Sequence, residues 1–326
     1  MAVSETVSVI IPLYNAAPYI KETVNSILAQ TFTDWRLYII DDHSTDGSAM
    51  IAQDFAERHP AKIDYFRPEK AAGKPSVGKN VGIKRSRGEL IAFMDHDDWW
   101  TPDHLERLVQ LINSDPKIGL VGSNGYVVRT GQSNETETYR PIASQYGQAE
   151  LRQLALAGTL FLTSSCMLVR RAVIDTFGPI DESLVAADDK ELTLRVIASG
   201  RYNILAESTP TVYHRLLPSS ISNRPDGIVG ASRDTEIVFE RYATSPNLTA
   251  EEKEAFATER TLFRKRLANY FVSVGRYSEA KMIYRAMIRS GRADRTTRLF
   301  YWLTLLLPFV ARSLITQKRR WSAKLA

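Results

Sequence analysis

The stretch GELIAFMDHDDWWTP, residues 88–102, decides the fold of this chain. Its apolar run, residues 90–94, is typical of a central strand that is covered on both faces of a sheet. Asp95, Asp97 and Asp98 follow that strand directly, and three carboxylates at one strand end repel one another. A divalent cation would offset this repulsion, and hard oxygen ligands suit Mg²⁺ or Mn²⁺. The alternative is an acidic loop that is simply exposed to solvent.

Three further apolar runs precede this stretch and predict strands over residues 7–13, 35–40 and 63–67. Segments with apolar residues three and four apart separate the first runs and predict helices. Residues 73–82 are rich in Gly and Lys, so we predict a loop that leads into a helix. The β-α-β-α order predicts an α/β protein with a doubly wound parallel sheet, whose ligands bind at the carboxyl ends of the strands.

Polar and aromatic side chains follow three of the predicted strands, at Tyr14, at Asp41 and Asp42, and at the acidic turn of residues 95–98. In a parallel sheet these strand ends lie at one edge, where we expect a nucleotide to bind. No Gly-x-Gly-x-x-Gly follows the first strand, and the chain has no Walker-type Gly-rich loop ending in Lys-Ser or Lys-Thr. A metal ion on the aspartates is therefore the expected means of holding phosphates.

Five segments, in this order, resemble the successive motifs of family 2 glycosyltransferases with the GT-A fold: VSVIIPLYN, ETVNSILAQTF, IIDDHSTDGS, GKNVGIKRSRGELIAFMDHDDWWTPDHL and AADDKELTLRV. The resemblance covers roughly residues 5–222. It implies a Rossmann-like, mostly parallel central sheet flanked by helices, followed here by a C-terminal helical extension. It also implies an inverting, metal-dependent transferase that takes a sugar from a nucleotide donor, with a UDP-sugar expected, to a saccharide or lipid-linked acceptor.

The resemblance assigns donor-binding roles to four residues. Pro12 and Tyr14 resemble the residues that line the base at the end of the first strand. Asp42 matches the family aspartate that hydrogen-bonds uracil. Lys79 stands where the family usually has Arg near the nucleotide, which keeps the charge but loses the bidentate fork.

The Asp-His-Asp triplet matches the DxD motif of the family. The resemblance makes Asp97 the direct metal ligand. It makes Asp95 either a contact of the ribose or a water-mediated contact of the metal, and Asp98 an acid near the donor sugar. In the later segment TVYHRLLPSSIS, Leu217 stands where the family often has His. His214 is the expected substitute as a metal or diphosphate contact, and a structural histidine at a strand end is the alternative.

Asp188 and Asp189 stand where the family often has Glu-Asp, and Asp189 aligns with the catalytic base. Inverting transfer needs such a carboxylate, because the acceptor hydroxyl must lose its proton as it attacks from the face opposite the leaving group. The alternative interpretation is helix capping, with the helix dipole stabilising the charges. The two roles are compatible.

Charge and apolar pattern change along the chain. We predict a glycosyltransferase domain over residues 1–225 and a basic helical region over residues 226–326. From residue 261 onward there are 15 Lys and Arg against 2 Asp and Glu. Residues 267–290 resemble part of a tetratricopeptide repeat, which predicts a helical hairpin. The apolar run of residues 299–311 is too short to span a bilayer, so residues 292–321 are expected to contact an anionic membrane surface. A buried core helix and an oligomer contact are the alternatives.

The remaining observations bound the location and the competing functions. The single cysteine, Cys166, excludes an internal disulfide framework, and no signal-peptide pattern opens the chain. We therefore expect a cytoplasmic protein, peripheral on the inner face of the membrane. A nucleotidyltransferase would need a Gly-rich basic loop after the first strand, which PLYNAAPYI does not provide. A catalytically inactive nucleotide-sugar-binding scaffold stays open, and the absence of a nucleic-acid-binding motif leads us to expect no nucleic-acid partner.

Overall fold

The computed structural model describes residues 6–129, 137–138, 163–217, 220 and 225–322. The chain divides into two compact units, Met1–Thr249 and Ala250–Ala326. The first unit contains the sheet, and the second consists of helices in its described part.

The first four strands form the parallel half of the sheet, in the order β3-β2-β1-β4. They are β1 (Val7–Leu13), β2 (Trp35–Asp41), β3 (Ile63–Phe66) and β4 (Leu90–Phe93). The connecting helices are α1 (Ile20–Leu28), α2 (Ser48–Arg58) and α3 (Pro75–Arg85). Every residue of β1 and β4 is buried, which explains why these strands read as continuous apolar runs. The predicted strands and their parallel order are confirmed.

The prediction of a loop over residues 73–82 is wrong, because α3 begins at Pro75. Proline suits the first turn of a helix, where its missing N–H is not needed. The glycines serve close packing: a Cβ at Gly82 would collide with Ile10, and one at Gly78 would lie 3.0 Å from the Pro12 Cβ. The Gly-rich composition therefore brings α3 against β1 rather than loosening the chain.

The second half of the sheet is mixed. Its strands are β5 (Trp99–Trp100), β6 (Ile118–Arg129), β7 (Glu137–Thr138), β8 (Met167–Arg170) and β9 (Asn203–Leu216). Strand β8 runs antiparallel to both β4 and β6, whereas β6 and β9 are parallel and β5 closes the order antiparallel to β9. Strand β7 pairs with β6 off this path. The predicted α/β class is confirmed, and the parallel arrangement is limited to the β3-β2-β1-β4 half and the β6-β9 pair.

Helices cover the sheet and close its core. Those of the second half are α4 (His104–Asn113), α5 (Arg171–Phe177), α6 (Asp188–Ser199) and α7 (Pro225–Ala243). Alternate residues of β1 and β2, such as Val9 and Leu37, pack in one cluster with apolar residues of α1, α2 and α4. Burial of this cluster fixes the strand register, and the register places the strand ends side by side.

The first unit extends past residue 225, the boundary that the sequence predicts. Asp234 of α7 accepts hydrogen bonds from the backbone N–H groups of Val185 and Ala186. Tyr242 donates to Glu191 of α6 at 2.5 Å, and Asn247 donates to the carbonyl of Ala198 at 2.9 Å. These contacts tie α7 and the segment after it to α6.

The second unit contains four described helices, α8 (Ala250–Ser273), α9 (Tyr277–Arg289), α10 (Arg295–Leu306) and α11 (Pro308–Ser322). Helices α8 and α9 turn at Gly275, whose φ of 83° lies in the left-handed region. Tyr284 of α9 is fully buried and donates to Asn269 of α8 at 2.5 Å. The predicted helical hairpin is thus confirmed. Among the residues that the structure describes, no helix has the length and apolar character of a membrane span.

Candidate active site

The ends of β1 and β2 are bent sharply at the edge where a nucleotide was predicted. Asn15 and His43 have positive φ angles, 46° and 63°, which are uncommon for residues other than glycine and often occur at functional sites. The Asn15 side chain accepts a hydrogen bond from the Thr45 backbone at 2.8 Å and so joins the two strand ends. Pro12 is buried in β1, whereas the Tyr14 side chain is 54% exposed. The ring of Tyr14 is therefore accessible to a ligand at this edge.

The two aspartates after β2 have different surroundings. Asp41 is fully buried and accepts hydrogen bonds from the Tyr65 hydroxyl and the Ser44 backbone. Asp42 is half-buried and accepts from the backbone N–H groups of Ala72 and Gly73, at 2.6 and 2.7 Å. Asp41 is thus enclosed by the fold, while Asp42 is oriented by the loop that leads into α3.

The acidic turn after β4 brings three carboxylates together, as the sequence predicts. Burial, and then the charge of Asp98, raises the pKa of Asp97 to about 6, although His96 opposes the shift. The pKa of Asp95 is also raised, by burial first, against the opposing charge of Lys79. Ionisation of these carboxyl groups therefore costs free energy in this turn. A bound cation would reduce that cost.

Asp98 is fully buried and accepts hydrogen bonds from Ser165 and from two residues of β9. Its Oδ2 accepts from the Ser165 hydroxyl at 2.6 Å and lies 3.1 Å from the His214 Nδ1, while its Oδ1 accepts from the Arg215 backbone at 3.0 Å. Burial alone would lower the pKa of His214, but Asp98 and the neighbouring acids raise it to about 9. His214 is thus an imidazolium at neutral pH. It pairs with Asp98, and it could ligate a metal only after losing a proton.

Arg215 supports the same turn from outside. Its Nε donates to the Asp97 carbonyl at 3.1 Å, and its guanidinium reaches Glu22 of α1 at 2.5 Å. The guanidinium also lies 4.6 Å from the ring centroid of Trp99, within cation–π range. Thr23 of α1 adds a hydroxyl within 3.0 Å of the His96 carbonyl and 2.8 Å of the Asp98 carbonyl. The backbone of the turn is therefore fixed at several points.

Lys79 lies between the acidic turn and the start of α6. Its ammonium donates to Asp188 and to Ser164, both at 2.6 Å, and the side chain is buried. Burial acts to lower the pKa of Lys79, but the charges of Asp188 and Asp95 outweigh it, so that the pKa is raised. In this geometry Lys79 is the partner of Asp188.

Asp189 is the second acidic residue of α6. Its Oδ1 accepts from the Lys190 backbone at 2.6 Å. Burial, followed by the charge of Asp188, raises the pKa of Asp189 to about 6, against the opposing charge of Lys79. The helix cap is Ala187, so both aspartates lie in the first turn, where the helix dipole favours negative charge.

The segment before α6 is held by Asn80, the neighbour of Lys79. The Asn80 amide accepts from the Ile180 backbone N–H at 2.9 Å and donates to the Ile180 carbonyl at 2.9 Å. It also donates to the Glu182 carboxylate at 2.8 Å. One side chain of α3 thereby fixes the turn from which α6 and its two aspartates start.

These contacts show which predicted site residues lie together. Asp95, Asp97, Asp98 and His214 form one cluster, which reaches β1 because the His96 ring lies 3.0 Å from the Pro12 carbonyl. Asp42 adjoins β1 through its backbone N–H, which donates to Leu13 at 2.8 Å. Lys79 connects the acidic turn to the helix of Asp189.

The side chains of the acidic turn offer the oxygen atoms that a hard divalent cation prefers. In the described part of the chain, no three His, Cys, Asp or Glu side chains are arranged so that they could hold a metal ion by themselves. Mg²⁺ and Mn²⁺ sites in nucleotide-binding enzymes often use one or two carboxylates together with the phosphates of the substrate. Asp97 and Asp95, two crowded carboxylates with raised pKa values, fit a metal that is shared with a diphosphate in this way.

Some residues of the site carry no signal in the sequence. Ser165 accepts from the Asp95 backbone at 3.0 Å and donates to Asp98, yet it stands in an apolar run without a recognisable motif. Thr23 and Glu22 belong to an ordinary amphipathic helix pattern. Their roles follow from the packing of α1 and of the turn Ser164–Cys166 against the acidic turn. The positions 130–136 and 139–162, including the first part of the run around Leu160, lie outside the described residues.

Solved structures with the same fold include two glycosyltransferases. Residues 1–349 of S. aureus TarS, in complex with UDP-GlcNAc, give a TM-score of 0.68 over 97% of this chain and 92% of that chain, with 16% identity. The mannosyltransferase PcManGT from Pyrobaculum calidifontis, in complex with GDP-Man and Mn²⁺, gives 0.60 over 95% and 86%, with 18% identity. The predicted GT-A fold is thereby confirmed.

Curated relatives are also glycosyltransferases by name. The uncharacterized glycosyltransferase alr2836 of Nostoc sp. is 32% identical over 177 residues, which cover 54% of either chain. The putative teichuronic acid biosynthesis glycosyltransferase TuaG of Bacillus subtilis is 40% identical over 106 residues, 32% of this chain and 41% of the relative. The chain thus spans about half the length of the curated relatives that it matches.

The family model named Glycosyl transferase family 2 matches residues 8–178, just over half of the chain. That range includes β1, the strand-end residues Tyr14 and Asp42, and the acidic turn. The predicted enzyme class is therefore confirmed at the level of the family. The chain belongs to glycosyl transferase family 2.

Proposed function

We propose that the chain transfers a sugar from a UDP-sugar to a saccharide or lipid-linked acceptor, with inversion, in the synthesis of a cell-surface polysaccharide or glycolipid. The observation that carries this proposal is the proximity of Asp95, in the acidic turn, to Lys79, whose ammonium donates to Asp188 at 2.6 Å on the helix of Asp189. Structural neighbours in complex with UDP-GlcNAc and with GDP-Man support a nucleotide-sugar donor.

Asp42 and Tyr14 are the residues that would recognise the base. An ionised carboxylate only accepts hydrogen bonds, so Asp42 would favour a base that presents an N–H, such as N3–H of uracil. Cytosine and the Watson–Crick N1 of adenine present acceptors at the corresponding edge and would repel it. The exposed Tyr14 ring offers a face against which the base can stack. Guanine and thymine also present an N–H, so the titration below compares UDP with both GDP and dTDP.

The acidic turn would hold the diphosphate end of the donor. Asp97, assisted by Asp95, would share Mn²⁺ or Mg²⁺ with the two phosphates, where the ion would stabilise charge on the leaving group. His214, protonated beside Asp98, adds a positive charge to the same cluster. We propose this role for His214 in preference to a metal ligand, because its Nδ1 faces Asp98 and its pKa is about 9.

Asp189 is the proposed general base. Its carboxylate would take the proton of the acceptor hydroxyl while the oxygen attacks the anomeric carbon from the face opposite UDP. The new glycosidic bond forms as the bond to the diphosphate breaks, and UDP leaves with the electron pair. Asp188 is bound to Lys79 at 2.6 Å and is less available for this task.

The charge distribution supports a location for this reaction. We propose that the protein is cytoplasmic and peripheral on the inner face of the membrane, held there by the basic C-terminal region. Residues 261–326 contain 15 Lys and Arg against 2 Asp and Glu, leaving 27 basic and 35 acidic residues in the rest. Anionic lipid headgroups attract such a segment.

Calorimetric titration of UDP, GDP and dTDP, each with and without Mn²⁺, tests the donor proposal. We expect UDP to bind more tightly than GDP or dTDP, and its binding to be lost in EDTA. Equal binding of UDP with and without metal would remove the metal from the proposal. A protein that binds UDP but releases no UDP when it is supplied with UDP-sugars and acceptors would instead be an inactive nucleotide-sugar-binding scaffold.

A further inference from the structure

The junction of α10 and α11 exposes an unusual number of large apolar side chains. Eight of them are between 43% and 77% exposed: Leu299, Trp302, Leu305, Leu306, Leu307, Phe309, Val310 and Leu314. We call this set the apolar corner. Residues 299, 302 and 306 are three and four apart on α10, and residues 310 and 314 are four apart on α11, so each helix presents them along one face. Each of the two helices therefore exposes an apolar face at this corner.

Helix α10 has an inverted distribution of polar and apolar side chains. It buries Thr297 and Thr304, while Leu306 of the corner is 69% exposed. A helix on the surface of a water-soluble protein normally buries its apolar face and exposes its polar one. The interpretation of residues 299–311 as a buried core helix is therefore wrong for the corner residues. Their exposure calls for an apolar partner outside the described chain.

The charges around the corner indicate what kind of partner that is. Arg295 and Arg298, on the first turn of α10, are exposed. The only two acidic residues from position 261 onward are already paired, Glu279 with Arg276 at 2.6 Å and Asp294 with Lys265 at 2.6 Å. A second copy of the chain, docked through the same surface, would therefore bring arginines against arginines. An anionic lipid surface offers both an apolar layer and negative charge.

We propose that the apolar corner inserts into the headgroup region of an anionic bilayer, with Arg295 and Arg298 contacting lipid phosphates. The inference refines the peripheral membrane location proposed above and rests on it. Amphipathic segments of this kind lie in the plane of the interface, with apolar side chains at the boundary of the acyl chains. Such a contact would bring the protein to the membrane, where a lipid-linked acceptor lies.

Co-sedimentation of the full chain with vesicles tests the inference. Vesicles of phosphatidylcholine alone are compared with vesicles that also contain phosphatidylglycerol. We expect binding to the anionic vesicles, and a reduction of about tenfold or more in the partition coefficient for the double variant Leu306→Glu, Phe309→Glu. Met50→Glu is the matched control, because Met50 is 70% exposed in the first unit, and it should bind as the wild type does. The double variant Arg295→Gln, Arg298→Gln should bind the anionic vesicles more weakly than the wild type does. Its binding to vesicles of phosphatidylcholine alone should equal that of the wild type.

Wild-type protein that binds neither vesicle, or a Leu306→Glu, Phe309→Glu variant that binds as tightly as the wild type, would overturn the inference. Self-association that this variant abolishes, without vesicle binding, would assign the corner to a second copy. Circular dichroism checks that the variants are folded. Titration with UDP and Mn²⁺ is carried out on the same protein samples. If UDP binds but the vesicles do not, only the membrane contact is overturned. If the vesicles bind but UDP does not, only the donor proposal is overturned.

Discussion

At the scale of single residues, the two adjacent aspartates of α6 differ in their surroundings. Asp188 lies 2.6 Å from the Lys79 ammonium, so its charge is compensated inside the protein. Asp189 accepts from the Lys190 backbone, and burial followed by the charge of Asp188 raises its pKa to about 6. A general base is most effective when its pKa lies close to the working pH, and its lone pairs must be free to reach the hydroxyl proton. These surroundings support Asp189 over Asp188 as the proposed base.

The change Asp189→Asn should lower kcat by about 10²–10⁴-fold, because the amide cannot accept the hydroxyl proton. Binding of UDP with Mn²⁺ should stay as in the wild type. The measurement is UDP release at saturating donor, together with calorimetry of UDP. Asp175→Asn is the matched control, since Asp175 is an exposed residue of α5. Loss of donor binding in Asp189→Asn would show that Asp189 is a ligand-binding or structural residue instead.

The pH dependence of the reaction should report the same carboxylate. Only ionised Asp189 can act as a base, and its pKa is raised to about 6, so kcat should fall as the pH decreases through about 6. The profile is recorded at saturating donor and Mn²⁺, because a metal bound to Asp97 as proposed would keep that carboxyl ionised. The residual activity of Asp189→Asn should lack this acidic limb. A limb of the same midpoint in that variant would assign the titration to another group.

Asp97→Asn should make the metal-free protein more stable at alkaline pH. The pKa of Asp97 is about 6 in the folded state against an ordinary 3.8, so its ionisation costs about 3 kcal/mol of folding free energy above pH 6. The stability difference should shrink as the pH falls from 6 to 4, where the wild-type carboxyl becomes protonated. Urea unfolding in EDTA at several pH values measures it. With UDP and Mn²⁺ the order should reverse, because only the wild type gains the binding free energy. Equal stability at all pH values would show that the carboxylate is well solvated.

At the scale of elements, α3 and the loop before it join Asp42, at the end of β2, to the helix of the proposed base. The loop before α3 bonds to Asp42, and Lys79 and Asn80 of α3 hold Asp188 and the turn at Ile180. Gly78 and Gly82 let the same helix approach β1 closely. The position of Asp189 relative to Asp42 is therefore set by contacts of one helix.

Asn80→Asp tests this role of α3 with a side chain of the same shape. The new carboxylate oxygen would face the Ile180 carbonyl and the Glu182 carboxylate, so the protein should lose about 1–3 kcal/mol of stability. We expect kcat to fall by about tenfold or more while the affinity for UDP is kept, because a displaced base is poorly aligned for proton transfer. Asn25→Asp, on the exposed side of α1, is the control. A variant that loses UDP affinity with kcat unchanged would place Asn80 at the donor instead.

The sequence predicts the parallel half of this fold well, because each strand of that half is an apolar run between turn signals. It also places Asp95, Asp97 and Tyr14 at one edge, since parallel strand ends lie side by side. It fails at α3, where glycine composition suggested a loop although the glycines provide room for β1. It could not foresee that Arg215 reaches Glu22, because that contact depends on the pairing of β9 and β5 next to α1.

At the scale of the whole molecule, the net charge of +5 conceals an acidic body and a basic end. The basic end also bears the apolar corner. The combination of positive charge and apolar surface distinguishes the two anionic partners that a basic segment can have, nucleic acid and a membrane. Nucleic acid offers phosphates without an apolar layer, and its binding weakens steeply with salt through counterion release. A bilayer also buries apolar surface, and that contribution is not screened by salt.

Binding to duplex DNA and to anionic vesicles should therefore respond differently to salt. We expect any DNA binding to vanish as salt rises to physiological concentration and above, while vesicle binding persists in part because Leu306 and Phe309 remain buried in lipid. Fluorescence anisotropy of labelled DNA and vesicle co-sedimentation, at matched salt concentrations, give the two curves. In the Leu306→Glu, Phe309→Glu variant the vesicle curve should become as steep as the DNA curve, because charge attraction alone is left. DNA binding that persists at high salt and is the same in the wild type and in this variant would show that the basic end recognises nucleic acid. That result would contradict the proposed membrane location.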